Sequence, residues 1–81
     1  MTKIRWSHGI HSWTGRYDIP AVSTVPIGRF VLEQYKTGYD LYRVLFVKYV
    51  SPEEDEYVSL SDSHLFPFVQ AQQMCEDYLK V

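Results

Sequence analysis

The residues with the clearest chemical capacity stand near the N-terminus, in His8-Gly9-Ile10-His11. Two imidazoles three residues apart could chelate a metal if His64 or Cys75 supplied further ligands. Zinc sites, however, are usually built from close pairs of Cys and His, and this chain has a single cysteine. Cys75 with a histidine and Asp62 also supplies the parts of a nucleophilic hydrolase on paper. No nucleophile elbow or cysteine-protease signature surrounds it. The chain's longest run of carboxylates is Glu53-Glu54-Asp55-Glu56, just after Pro52. The proline marks a turn, and a solvated turn cannot readily raise a carboxylate pKa for acid catalysis. Gly9 and Gly38 are isolated, so no phosphate-cradling loop is present. These residues point away from an enzyme and toward a protein with no resident cofactor or metal. A small metal-dependent protein using His8 and His11 is the alternative.

Binding chemistry is better represented. Aromatics make up 16% of the chain, including seven tyrosines, which is more ring surface than a small core easily hides. Exposed Trp and Tyr are enriched at protein–protein contacts. Trp6, Trp13, Tyr35 and Tyr39 are the candidate partner-binding anchors, with Tyr17 and Tyr49 in the same set. They form an exposed patch if several share the sheet face opposite the helix. The acidic run Glu53, Glu54, Asp55 and Glu56 is the candidate steering element toward a basic partner. The alternative reading of that run is a solubilising turn that discourages edge pairing.

Elements that would position these groups follow from the pattern. Phe30 to Tyr35 alternates as a strand, with Phe30 and Leu32 on one side and Val31 and Glu33 on the other. Lys36-Thr37-Gly38 is a short connection whose glycine suits a positive φ. Tyr39 to Val50 is a long strand with apolar residues on both faces: Leu41, Leu45 and Val47, then Tyr42, Val44 and Phe46. That fits a central strand covered on both sides or buried against another copy. Tyr57 to Ser61 is its shorter partner. Pro67 suits a first helical turn, and Phe68, Ala71, Cys75, Tyr78 and Leu79 form one helical stripe. Cys75 is therefore expected as a small core residue. Lys80 complements the helix dipole.

The first 26 residues read as one short strand at Ile4-Arg5-Trp6 and then a long, partly extended loop. Ser7 to Gly15 is rich in turn residues. Pro20 and Pro26 each follow a branched residue, where helix is disfavoured. This segment is expected to add an edge strand or to cover the sheet face opposite the helix. The whole is one α+β domain: a small antiparallel sheet of three to four strands with a C-terminal helix on one face.

Size and charge narrow the field. With 81 residues the chain has a thin core and a margin of a few kcal/mol. Net charge is −2, and the basic residues are scattered along the sequence, so the footprint for duplex nucleic acid is missing. No apolar run is long enough to span a membrane. The lone cysteine and the lack of an apolar leader at the N-terminus fit a soluble protein of a reducing cytoplasm.

Two stretches carry a likeness. Gly28-Arg29-Phe30 starts a strand in a Gly-x-aromatic pattern, and Leu65-Phe66-Pro67-Phe68-Val69-Gln70-Ala71 opens the terminal helix. In these the chain resembles small phage- and prophage-encoded proteins of sheet-plus-helix build. Pro67 and Val69 stand where small and acidic residues are more usual. Some such proteins are anti-defence factors, including anti-CRISPR proteins, which bind a host immune complex and block it. The resemblance implies a non-enzymatic inhibitor that binds a host protein complex in the bacterial cytoplasm and acts by steric occlusion. The alternative is a homo-oligomeric structural or accessory module.

Overall fold

The computed structural model describes residues 3–19 and 26–79. Five strands and one helix follow in chain order: β1 (Ile4–His8), β2 (Ser12–Tyr17), β3 (Gly28–Gln34), β4 (Tyr42–Ser51), β5 (Glu54–Ser59) and α1 (Phe68–Leu79). The strands form one antiparallel sheet in sequence order, a meander of hairpins. The fold is thus α+β, with five strands rather than three or four. The expectations placed on Pro20, Val25 and Lys80 fall outside the described residues.

The difference comes from two corrections, one added strand and one strand that starts earlier than expected. Ser12 to Tyr17 is a strand and not loop, so the N-terminal segment is a hairpin that extends the sheet. Its turn is closed by the Gly9 amide donating to the Ser12 carbonyl at 2.7 Å. Gly15 lies inside β2 because a Cβ there would stand 2.7 Å from the Trp6 ring and 2.9 Å from Ile4. Its role is close packing and not a turn. The acidic run is also mostly strand. Only Pro52 and Glu53 make the turn, while Glu54, Asp55 and Glu56 pair with Ser51, Tyr49 and Lys48. At its other end β4 starts at Tyr42, so Tyr39 and Leu41 belong to the preceding loop. Gly38 in that loop has φ 89°, as its position predicts.

Alternation divides the sheet into two faces. One face buries Ile4, Tyr17, Phe30, Leu32, Tyr42, Val44 and Phe46 against Ala71, Cys75 and Leu79 of α1. This is the expected helical stripe. Tyr78 adds ring contacts to Phe30 and Phe46, with centroids 6.0 and 5.1 Å apart. The start of α1 is fixed from a distance: the Asp40 carboxylate accepts the Phe68 amide at 3.1 Å. The loop before β4 thereby caps the helix. Beyond β5, Ser61 Oγ accepts the Val44 amide at 3.0 Å, so this buried hydroxyl continues the ladder after the strand has ended.

Candidate functional site

Phe68 organises the aromatic residues. Its ring lies 4.6 Å from Trp13, 5.8 Å from Tyr42 and 6.2 Å from Trp6, centroid to centroid. Both tryptophans are half-buried on the helix side of the sheet. They do not share the face opposite the helix; they clasp the N-terminal hairpin onto the start of α1. The reason is register. Trp6 opposes Gly15, and Trp13 opposes Leu32, whose side chain is fully buried under the helix. Tyr17, from the same aromatic set, is buried on this side, and its hydroxyl donates to the Pro26 carbonyl. Burial, and secondarily the Tyr78 charge, push its pKa up to about 12.

Tyr35 and Tyr39 lie together in the β3–β4 loop with centroids 6.2 Å apart. Each is about half exposed, and the Lys36 ammonium sits 5.3 Å from the Tyr35 ring centre. Gln34 fixes the loop by donating from its side chain to the Tyr39 carbonyl at 3.0 Å. Glu53, Glu54, Asp55 and Glu56 are exposed at the far end of the sheet. Four proposed anchors and four proposed steering acids therefore occupy three separate places and form no single patch.

The histidines and Cys75 are likewise apart. The His8 ring stacks on Trp13 at 4.4 Å, and His64 stands beside Phe66 at 6.5 Å. Cys75 is fully buried on the inner side of α1, and burial pushes its thiol pKa up to about 12, with a smaller contribution from Glu76. Such a thiol is a poor nucleophile and a poor metal ligand. Among the described residues no group of three His, Cys, Asp or Glu side chains could hold a metal ion.

What the structure does gather is the arginines. Arg5, Arg16, Arg29 and Arg43 each adjoin a buried residue: Ile4, Tyr17, Phe30 and Tyr42. Alternation therefore sends all four to the face away from α1. Arg5 stands directly opposite Arg16. One step beyond the Gly15–Phe30 pair, the antiparallel register brings Arg16 toward Arg29. Arg29 in turn faces Val47, and Val47 faces Tyr57. The result is a cross-strand row of three guanidiniums that ends on an apolar centre and an exposed ring. Beside it, Val31 pairs with Leu45, and both are partly exposed.

Carboxylates partner most of this set. Arg5 donates two hydrogen bonds to Asp18, at 2.9 and 3.2 Å. Arg29 lies 3.7 Å from Asp55, and Arg43 lies 3.9 Å from Glu33. Between the first two pairs is a groove of about 330 Å³ whose wall includes Arg5, Arg16, Arg29, Ile27, Tyr49 and Asp55. Four of the scattered basic residues of the sequence, the arginines, thus share one face of the sheet. The signal that could have revealed it was the constant placement of each arginine next to a core residue.

Val47 also accounts for the two-faced apolar character of β4. It is completely buried within one chain, with Arg29 and Tyr57 beside it in the sheet. No helix among the described residues is long and apolar enough to cross a membrane. Compared with family models, with curated proteins and with solved structures, the chain matches none.

Proposed function

We propose that this chain is a non-enzymatic binding module that engages a protein partner through the face of its sheet that lies away from α1. The observation that carries the reading is the segregation of all four arginines onto that face, around Val31, Leu45 and the exposed rings of Tyr49 and Tyr57. An apolar centre with Tyr and Arg around it is the composition of energetically important interface residues. Fixed strands present these groups, so little backbone ordering entropy is lost on binding. The pointer to an immune complex of a bacterial host, and to inhibition by steric occlusion in that host's cytoplasm, is the resemblance carried by Gly28-Arg29-Phe30 and the terminal helix. Tyr35, Tyr39 and the acidic end of β5 would then act at the margins of the contact.

The test is affinity capture from bacterial lysate with three forms of the full chain, each first shown to be folded. They are the wild type, Tyr49→Ala/Tyr57→Ala on the open face, and Tyr35→Ala/Tyr39→Ala in the loop. The reading expects a specific partner lost from the open-face variant and kept by the loop variant. The opposite pattern moves the contact to the loop. A partner retained by both variants overturns the open-face reading.

A further inference from the structure

Arg16 differs from the other arginines of its face. Asp18, Asp55 and Glu33 lie against Arg5, Arg29 and Arg43, whereas among the described residues no carboxylate or other acceptor engages the Arg16 side chain. It also sits where a cation is least favourable, directly opposite Arg5 and next in register to Arg29. Like charges facing each other across strands destabilise a sheet. The exposed guanidinium projects at the groove that Arg5, Arg29 and Tyr49 also line.

We propose that this groove receives a carboxylate from an acidic segment of the protein partner, with Arg16 as its main ligand and Arg5 and Arg29 beside it. The proposal rests on the open-face reading and names the chemistry that face would recognise. Guanidinium and carboxylate match in planar, two-bond geometry, and the Arg5–Asp18 pair shows that geometry on the same face. The partner's carboxylate would give Arg16 the counter-ion that Asp18 and Asp55 give Arg5 and Arg29.

Charge complementarity favours an acidic peptide over a single-stranded nucleic acid. A phosphate backbone tracks a continuous positive path. Here Asp18, Asp55 and Glu33 interrupt that path. One unmatched guanidinium between two matched ones suits one or two partner carboxylates.

The test uses the folded full chain, labelled with ¹⁵N at arginine, and follows the four Nε–H resonances by NMR. The probes are an end-blocked oligoglutamate peptide, its oligoglutamine counterpart and a short oligothymidylate. The expected result is a saturable shift at Arg16, with smaller shifts at Arg5 and Arg29, for oligoglutamate alone. Arg16→Gln should weaken the shifts at Arg5 and Arg29 by about tenfold in apparent affinity, whereas Arg43→Gln leaves them in place. Equal, non-saturating shifts at all four arginines would mean simple screening and overturn the proposal. Tighter binding of oligothymidylate would overturn it in favour of a nucleic-acid ligand. The capture experiment separates the two claims. If Tyr49→Ala/Tyr57→Ala loses the partner but Arg16→Gln does not, the open-face reading stands and the carboxylate site fails. If the tyrosine variant keeps the partner, the reading itself fails.

Discussion

On the helix side of the sheet, Phe30, Leu32, Val44 and Phe46 are almost wholly removed from water, while on the other side the same strands carry Arg29, Val31, Glu33, Arg43 and Leu45. Each strand thus contributes to both surfaces with alternate residues. The inner face holds rings and branched chains in mutual contact, and its large apolar area supplies the stability of so small a domain. The outer face sets charge beside like charge at Arg5 and Arg16, an arrangement that folding alone does not favour. The contrast teaches that the buried surface and the charged surface have been separated by a period of two along the chain. A change of one residue in register would exchange them.

Deleting a ring from the inner face tests that division most severely. Phe46→Ala should cost about 3–5 kcal/mol, comparable to the whole stability of such a domain, and a urea titration read by circular dichroism should find the variant largely unfolded. Removing an outer ring such as Tyr57, which is 64% exposed, should cost far less in the same titration.

Alkaline pH should weaken the inner face selectively. Burial raises the pKa of Cys75 from 9.0 and that of Tyr17 from 10.0, each to about 12. For a group raised on folding, the stabilisation is complete below the unfolded pKa and is lost as pH climbs toward the folded one. Stability should therefore be flat up to about pH 9 and then fall, by about 1.4 kcal/mol per pH unit for each group between its unfolded and folded pKa values. Urea midpoints measured from pH 7 to 11 check this. Cys75→Ala/Tyr17→Phe should flatten the decline, and an unchanged decline would place its cause elsewhere.

Gly15→Ala probes the point where the N-terminal hairpin closes on itself. The new Cβ meets the Trp6 ring and Ile4 at distances that force a shift, so overpacking should cost about 1–3 kcal/mol. Tryptophan fluorescence should report the displaced Trp6. A neutral result would show that the hairpin gives way easily and is not held as part of the inner face.

Asp40→Ala should cost about 1 kcal/mol, the usual effect of losing a helix cap, with Asp40→Asn closer to wild type. Thermal denaturation measures this. The smallest expected effect has the opposite sign. Arg16→Thr removes a like-charge neighbour of Arg5 and adds a good strand former, so it should raise stability by a few tenths of a kcal/mol. Paired with a loss of partner affinity, that gain would sharpen the contrast between faces. A loss of stability would show that the Arg16 stem packs as part of the fold.

Much of this was legible locally. The alternation in β3 and the stripe on α1 place Phe30, Ala71 and Cys75 without reference to distant contacts, whereas β4 is apolar on both faces and its pattern does not say which one meets the helix. The strand β2 and the start of β5 were obscured because local chemistry argues against them. Gly15 and the hydroxyl residues around it suggest turn, and the acids of β5 have low strand propensity. Pairing with Trp6, Phe30 and β4 overrides those preferences, and such pairing depends on residues far away in sequence.

The same division explains the candidate site. By itself the sequence determined the amphipathic faces, the position of the helix, the glycine at φ 89° and the absence of a long basic run, because each depends on neighbours within a few residues. Only the tertiary structure decided that Trp6 and Trp13 belong to the Phe68 cluster, and that Arg5, Arg16 and Arg29 form one row. Those facts depend on which strands are adjacent and in what register. Register is set by the simultaneous burial of the whole inner face, a cooperative property that no single stretch of the chain carries.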